Sequence, residues 1–219
     1  MTSWRLSPQV HAVHVEDDLV LLHVTADAYH CVPGAAGEIR LLDDGWGLDI
    51  ADAAVRADLA AAALIEPACR RDQLPARKRV TPPGRSALRS LHEPPRATDI
   101  VDILAALADL AHGYWRRPFH RIVEQVRVRE RRGDRLASDE IVALADRFHR
   151  WIPYTPVSGK CLLRSYMLRG FLRRHGQQVD WVFGVRTWPF QAHCWLQAGD
   201  LVLDDEVERV SAYAPILVL

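Results

Sequence analysis

The sequence predicts an α+β fold with strands near both ends of the chain and helices between them. Short apolar runs broken by Asp-containing turns occupy residues 9–32, and similar runs return in residues 179–205. Such runs are typical of β-strands. The intervening residues carry apolar side chains at helical spacing. With 219 residues and 49% hydrophobic content, the chain can build one large domain or two small ones.

The N-terminal part predicts a three-stranded meander followed by two helices. Turns containing aspartate separate the strands, and Pro33-Gly34 ends the last one. The stretch GAAGEIRLLDDG predicts a short helix that stops at Gly45, and an Ala-rich stretch predicts a second helix. The strands are predicted at residues 9–15, 19–24 and 28–32, and the helices at residues 34–45 and 50–65.

Residues 69–97 are rich in proline and arginine and predict a linker. The chain therefore divides into an N-terminal domain (residues 1–68), this linker and a C-terminal domain (residues 98–219). The C-terminal domain predicts helices followed by strands, with a tight turn at residues 198–200 between the last two strands. The helices are predicted at residues 100–115, 118–133, 139–151 and 161–176, and the strands at residues 179–185, 192–197 and 201–205.

Composition excludes several classes of function. The 28 basic and 28 acidic side chains cancel, which argues against nucleic acid or an acidic membrane as the main partner. No signal peptide or membrane-spanning run is visible, and no GxxxxGK motif predicts direct ATP binding. The scattered cysteines predict neither a disulfide framework nor a zinc site, so we expect a cytoplasmic protein with reduced thiols. They are Cys31, Cys69, Cys161 and Cys194.

Cys161 stands where a loop gives way to the last predicted helix. The unpaired N–H groups and the dipole of a helix start favour a thiolate, and the neighbouring Lys160 and Arg164 add positive potential. A helical cysteine taken alone is more often a small core residue. A reactive role therefore requires partners elsewhere in the chain.

His193 and an aspartate on the next strand are those partners. An imidazole can serve a thiol as general base, and a carboxylate can hold the imidazole in the required tautomer. Strand alternation places Cys194 on the face opposite His193, which predicts a packing role for Cys194. Alternation leaves open whether Asp204 or Asp205 faces the histidine.

Residues 161–206 resemble the transglutaminase-like peptidase domain of lasso-peptide B proteins. The matching features are the CLxRS start, the LRRHG helix end, the FGVR strand, the FQAHxW motif and the final Asp-Asp. The resemblance implies a papain-like fold of helices and an antiparallel sheet. It also implies a catalytic triad of Cys161, His193 and Asp205, with Asp204 as the fallback. Cys194 departs from the family, which more often has a small residue such as alanine there.

The N-terminal part resembles, more weakly, the leader-recognition domain similar to the pyrroloquinoline-quinone chaperone. Such domains bind a leader peptide as an added strand beside their third strand. The resemblance implies leader contacts at Tyr29 and Val32. Trp188 and Phe190 come just before His193 and are expected to line the substrate cleft. The alternative is a small α+β cap that only packs on the peptidase.

The resemblance implies a cysteine peptidase that removes the leader from a lasso-peptide precursor in the bacterial cytoplasm. The freed amine would then be joined to a side chain by an asparagine-synthetase-like cyclase, through which any ATP dependence would act. No metal or other cofactor is expected. Two alternatives remain: a transglutaminase-like acyltransferase, which passes the acyl group to an amine, and a non-catalytic module that binds the precursor.

Overall fold

A computed structural model describes residues 3–68, 74–90, 97–114, 116–129, 139–155, 157 and 160–219. Cys69 and the expected helix end at Gly133 lie outside these residues, as does part of the predicted linker. The strands are β1 (Trp4–Leu6), β2 (Val10–Val15), β3 (Asp18–His23), β4 (Ala28–Val32), β5 (Ile39–Leu41), β6 (Gly47–Ile50), β7 (Ile65–Pro67), β8 (Arg85–Ser86), β9 (Asp180–Arg186), β10 (Gln191–Ala198), β11 (Leu201–Val202) and β12 (Ala214–Val218).

Most of the α-helices lie in the C-terminal half, as the apolar spacing predicts. Three short 3-10 turns accompany them, at Ala35–Gly37, Ala87–Ser90 and Ile152–Tyr154. The α-helices are α1 (Ala53–Ala61), α2 (Ala97–Gly113), α3 (Phe119–Arg129), α4 (Asp139–Trp151), α5 (Cys161–Arg174) and α6 (Val207–Val210). No helix within the described ranges is long and apolar enough to cross a membrane.

The predicted three-stranded sheet is confirmed, in the order β2-β3-β4. Its central strand β3 is buried on both faces. Leu19 and Leu21 point into a small N-terminal core. Val20 and Leu22 point the other way, into the core formed by the C-terminal helices and sheet. Alternate side chains of β3 therefore belong to two different cores, and the N-terminal sheet packs directly on the C-terminal part of the molecule.

The helix predicted at residues 34–45 is wrong. This stretch forms a single 3-10 turn and then β5, which pairs with β6 in a second sheet of order β5-β6-β1-β7. A hairpin turn explains the difference. The Asp44 carboxylate accepts hydrogen bonds from the backbone N–H groups of Trp46 and Gly47, and Gly45 adopts a φ of 73°. The glycine expected to stop a helix instead supplies the left-handed residue of a turn.

The C-terminal sheet has the order β12-β9-β10-β11-β8. Neighbouring strands run antiparallel except β8, which pairs in parallel with β11 and comes from the stretch predicted as a linker. Helices α2, α4 and α5 contribute to the large core on one face of this sheet. The molecule is therefore α+β, as predicted, and its C-terminal part combines helices with a mostly antiparallel sheet.

Candidate active site

Helix α5 carries Cys161 at its first position and packs against β10. Lys160 precedes the helix in an extended conformation and provides no side-chain cap. The first-turn N–H groups therefore have no cap to satisfy them, and they direct positive potential toward the sulfur. Cys161 is half-buried, so part of its side chain remains accessible to a substrate.

His193 lies on β10 and is bound to Asp205. Its Nε2 atom is 2.6 Å from Oδ2 of Asp205, and both side chains are nearly buried. The rings of Trp195 and Tyr213 lie 6.2 Å and 5.2 Å from the imidazole, centroid to centroid, and limit its rotation. Because Asp205 occupies Nε2, the ring nitrogen left to serve Cys161 is Nδ1.

The two hydrogen bonds of His193 favour a thiolate–imidazolium pair. Bonds from the Cys194 thiol and then from His193 lower the pKa of Cys161 to about 4. Burial opposes a charged imidazole, but the bonds to Asp205 and Cys161 outweigh it and raise the pKa of His193 to about 9. Between these two values the sulfur is ionised and the imidazole carries a proton that it can give away.

Asp205 is held as a carboxylate by its surroundings. Burial favours the neutral acid, but the hydrogen bond with His193 outweighs burial and lowers the pKa of Asp205. Oδ1 also accepts the backbone N–H of Glu206 at 2.9 Å, and the guanidinium of Arg164 lies 3.6 Å from Oδ2. The structure thus brings together the three side chains that the resemblance assigned to a triad.

Asp204 points away from the histidine into the protein. Its carboxyl oxygens lie 2.6 Å from Oγ of Ser165 and 2.8 Å from the backbone nitrogen of Leu196. Complete burial raises the pKa of Asp204. Ser165 Oγ is also 2.9 Å from the carbonyl oxygen of Cys161, and one hydroxyl proton serves only one acceptor. The Ser165 hydroxyl therefore donates to one of two nearby acceptors, the Asp204 carboxyl or the Cys161 carbonyl.

Asp204, which follows β11, links Ser165 on α5 to Leu196 on β10, and so helps to position Cys161 beside His193. Sequence reasoning gave Ser165 no role, although it is the serine of the CLxRS motif. The signal was present, since a serine one turn after the nucleophile lies on the same helix face.

The predicted packing role of Cys194 is confirmed, since Cys194 is 2% exposed and belongs to the large core, on the face of β10 that alternation requires. Cys194 also influences the site, because α5 packs against β10 and the nearby Cys194 lowers the pKa of Cys161. Within the described ranges, no group of three His, Cys, Asp or Glu side chains is arranged to hold a metal ion.

Three of the residues predicted to contact substrate meet in one pocket of about 130 Å³. Tyr29 and Phe190 pack with ring centroids 5.3 Å apart, and the indole N–H of Trp188 donates to Asp18 at 2.7 Å. Burial, with Cys194 and Cys161 nearby, raises the pKa of Tyr29 to about 12. Val32 is not among the residues that line this pocket; it packs on the N-terminal core.

Residues 103–218 match the Transglutaminase-like superfamily, and this match contains the whole hydrogen-bonded chain from Cys161 to Asp205. The chain belongs to this superfamily. Transglutaminase-like proteins are generally enzymes of the cysteine-protease type, so the match supports a cysteine peptidase or acyltransferase chemistry for the C-terminal part. Comparison with curated proteins and with solved structures finds no match.

Proposed function

We propose that this protein is a cysteine peptidase that removes the leader from a lasso-peptide precursor. The observation that carries the proposal is the placement of Cys161 at the start of α5, beside a buried His193 that lies 2.6 Å from Asp205. This arrangement lowers the pKa of Cys161 and raises that of His193. The resemblance of residues 161–206 to lasso-peptide B proteins supplies the substrate class.

The proposed reaction has two steps. The Cys161 sulfur attacks the scissile carbonyl carbon, the C–N bond breaks, and His193 gives its Nδ1 proton to the leaving amine. A thioester then links the leader to Cys161. His193, now neutral, takes a proton from water as the water oxygen attacks the thioester, and the Cys161 thiolate leaves. Asp205 positions the imidazole and stabilises its cation throughout.

The N-terminal sheet supports a leader-binding role. Strand β4 pairs with β3 on one side, and among the described residues no strand pairs with its other edge. An extended peptide can add to such an edge through backbone hydrogen bonds. The pocket of Tyr29, Trp188 and Phe190 joins β4 to the turn that leads into β10 and His193. A leader docked on β4 would thereby continue toward Cys161. The alternative, a cap that binds no peptide, predicts no binding of the isolated leader.

The pathway partners follow from the resemblance. The expected partners are the precursor peptide and an asparagine-synthetase-like cyclase, which would consume the freed amine and account for any ATP dependence. We place this reaction in the bacterial cytoplasm.

Incubation of a precursor with the protein and the cyclase, followed by mass spectrometry, tests the proposal. Hydrolysis yields a leader fragment that ends in a free carboxyl group, whether or not the cyclase has already joined the freed amine to a side chain. An acyltransferase instead yields a leader–amine adduct without added water, and a binding module yields neither product. Cys161→Ala is expected to retain leader binding and lose cleavage. Free leader released by this variant would contradict the peptidase assignment.

A further inference from the structure

The proposed triad does not use the second thiol at the site. Cys194 is 2% exposed on β10, and Cys161 and Cys194 each shift the pKa of the other thiol. Ser165 Oγ approaches the Cys194 sulfur to 3.9 Å and the Cys161 carbonyl oxygen to 2.9 Å. Both thiols are free in the structure. Two free thiols on facing elements that share Ser165 as a neighbour, one of them the proposed nucleophile, form a candidate redox pair.

The two sulfurs are chemically unequal. The Cys161 sulfur lies at a helix start beside an imidazolium and is exposed enough to meet a small reagent. The Cys194 sulfur is buried, and the adjacent Cys161 and its burial keep its pKa well above the ordinary value. An oxidant therefore reacts first at the Cys161 thiolate, and Cys194 remains as a protonated thiol in contact with it.

We propose that Cys161 and Cys194 form a reversible disulfide when the protein meets a peroxide, which switches the site off and shields the nucleophile from further oxidation. In the first step the Cys161 thiolate attacks one oxygen of hydrogen peroxide. The O–O bond breaks, hydroxide leaves, and Cys161 becomes a sulfenic acid. In the second step the Cys194 sulfur attacks the Cys161 sulfur. The S–O bond breaks, and the departing hydroxide takes the Cys194 proton to become water.

The fold favours this disulfide over continued oxidation. A disulfide requires the sulfurs to close to about 2.05 Å with the Cβ atoms about 4 Å apart. Ser165 Oγ contacts both residues, which places the start of α5 against Cys194. A dithiol reductant reverses the bond by thiol–disulfide exchange and is itself oxidised to a disulfide. The bond between His193 and Asp205 involves neither sulfur, so we expect it to persist in the oxidised protein.

Peptide mapping tests the proposal without any peptidase turnover, so its failure is distinguishable from failure of the proposed function. Trypsin releases Cys161 in residues 161–164 and Cys194 in residues 187–209. After limited hydrogen peroxide, we expect the intact protein to lose the mass of two hydrogen atoms and the digest to contain these two peptides joined. Dithiothreitol should separate them and restore alkylation of Cys161 by iodoacetamide.

Two variants sharpen the test. Cys194→Ala should accumulate sulfinic acid at Cys161, which dithiothreitol does not reverse. Cys31→Ala removes the exposed free thiol of β4 and should form the joined peptide like the wild type. The proposal is overturned if the oxidised wild type carries sulfinic acid at Cys161 with no joined peptide, or if the joined peptide contains Cys31 or Cys69. The wild-type digest decides the matter even if Cys194→Ala fails to fold.

Discussion

Replacing Asp205 with asparagine should weaken the thiolate–imidazolium pair. The rise in the His193 pKa from 6.5 to about 9 corresponds to about 3 kcal/mol of preferential stabilisation of the imidazolium. Asp205 and Cys161 share this effect, so loss of the Asp205 charge removes on the order of 1–2 kcal/mol. The pKa of His193 in Asp205→Asn should therefore fall by about one unit, and leader cleavage should fall at least about tenfold.

The pH dependence of Cys161 alkylation by iodoacetamide measures this change directly. In the wild type the alkylation rate should rise as pH increases through about 4, where the sulfur ionises. The profile should show a second, upper transition near pH 9, where His193 loses its proton. Asp205→Asn should move the upper transition to lower pH. Asp49→Asn, which alters an exposed aspartate on β6, is the matched control and should leave both transitions in place.

Asp204→Asn provides the decisive comparison. Asp204 contacts Ser165 and Leu196 and not the imidazole, and an amide of the same shape can accept the Leu196 N–H and donate to Ser165. We expect only a small effect on cleavage and on the alkylation profile. The reasoning fails if Asp204→Asn shifts the upper transition more than Asp205→Asn does, or if neither variant shifts it.

Three further substitutions test the packing around the site. Gly184→Ala places a Cβ atom 2.8 Å from the ring of Trp195, which packs against His193, and should lower the free energy of unfolding by about 1–3 kcal/mol in urea titrations. Gly37→Ala is the control, because the space around Gly37 is open, and should leave the free energy of unfolding unchanged. Ser165→Ala removes one of the two hydrogen bonds of the buried Asp204 carboxyl and should lower the free energy of unfolding by about 1–3 kcal/mol in the same assay. An unchanged midpoint would refute the link between α5 and β10. Trp188→Ala should raise the KM for precursor several-fold while Cys161 alkylation stays normal, and Val101→Ala on exposed α2 should alter neither.

The chemistry of the site was predictable from residue types, but the choice of aspartate was not derivable by strand alternation. Strand β11 ends at Val202, so the residues that follow leave the extended conformation on which alternation depends. The resemblance, not the periodicity, pointed to Asp205. Alternation likewise placed Cys194 on the correct face of β10. It carries no information about where the N-terminus of α5 rests on that face, and this contact is what brings Cys194 to the Cys161 sulfur.

The second N-terminal sheet was missed because its strands are very short. Strands of three or four residues, such as β1 and β5, are too brief to show a period. A glycine such as Gly45 is also compatible with two structures, since the left-handed conformation it adopts occurs both at helix ends and in hairpin turns. Only the pairing of β5 with β6 separates them, and that pairing is a tertiary contact.

Strand β3 fixes the position of the N-terminal sheet relative to the C-terminal part of the molecule. Val20 and Leu22 belong to the large core, and Leu19 and Leu21 belong to the N-terminal core, so a shift of one part against the other would disrupt the packing of both cores. Under the proposed function, a leader held along β4 is thus anchored at a set distance from Cys161. The number of residues needed to span that distance would then determine which peptide bond reaches Cys161 and is cleaved.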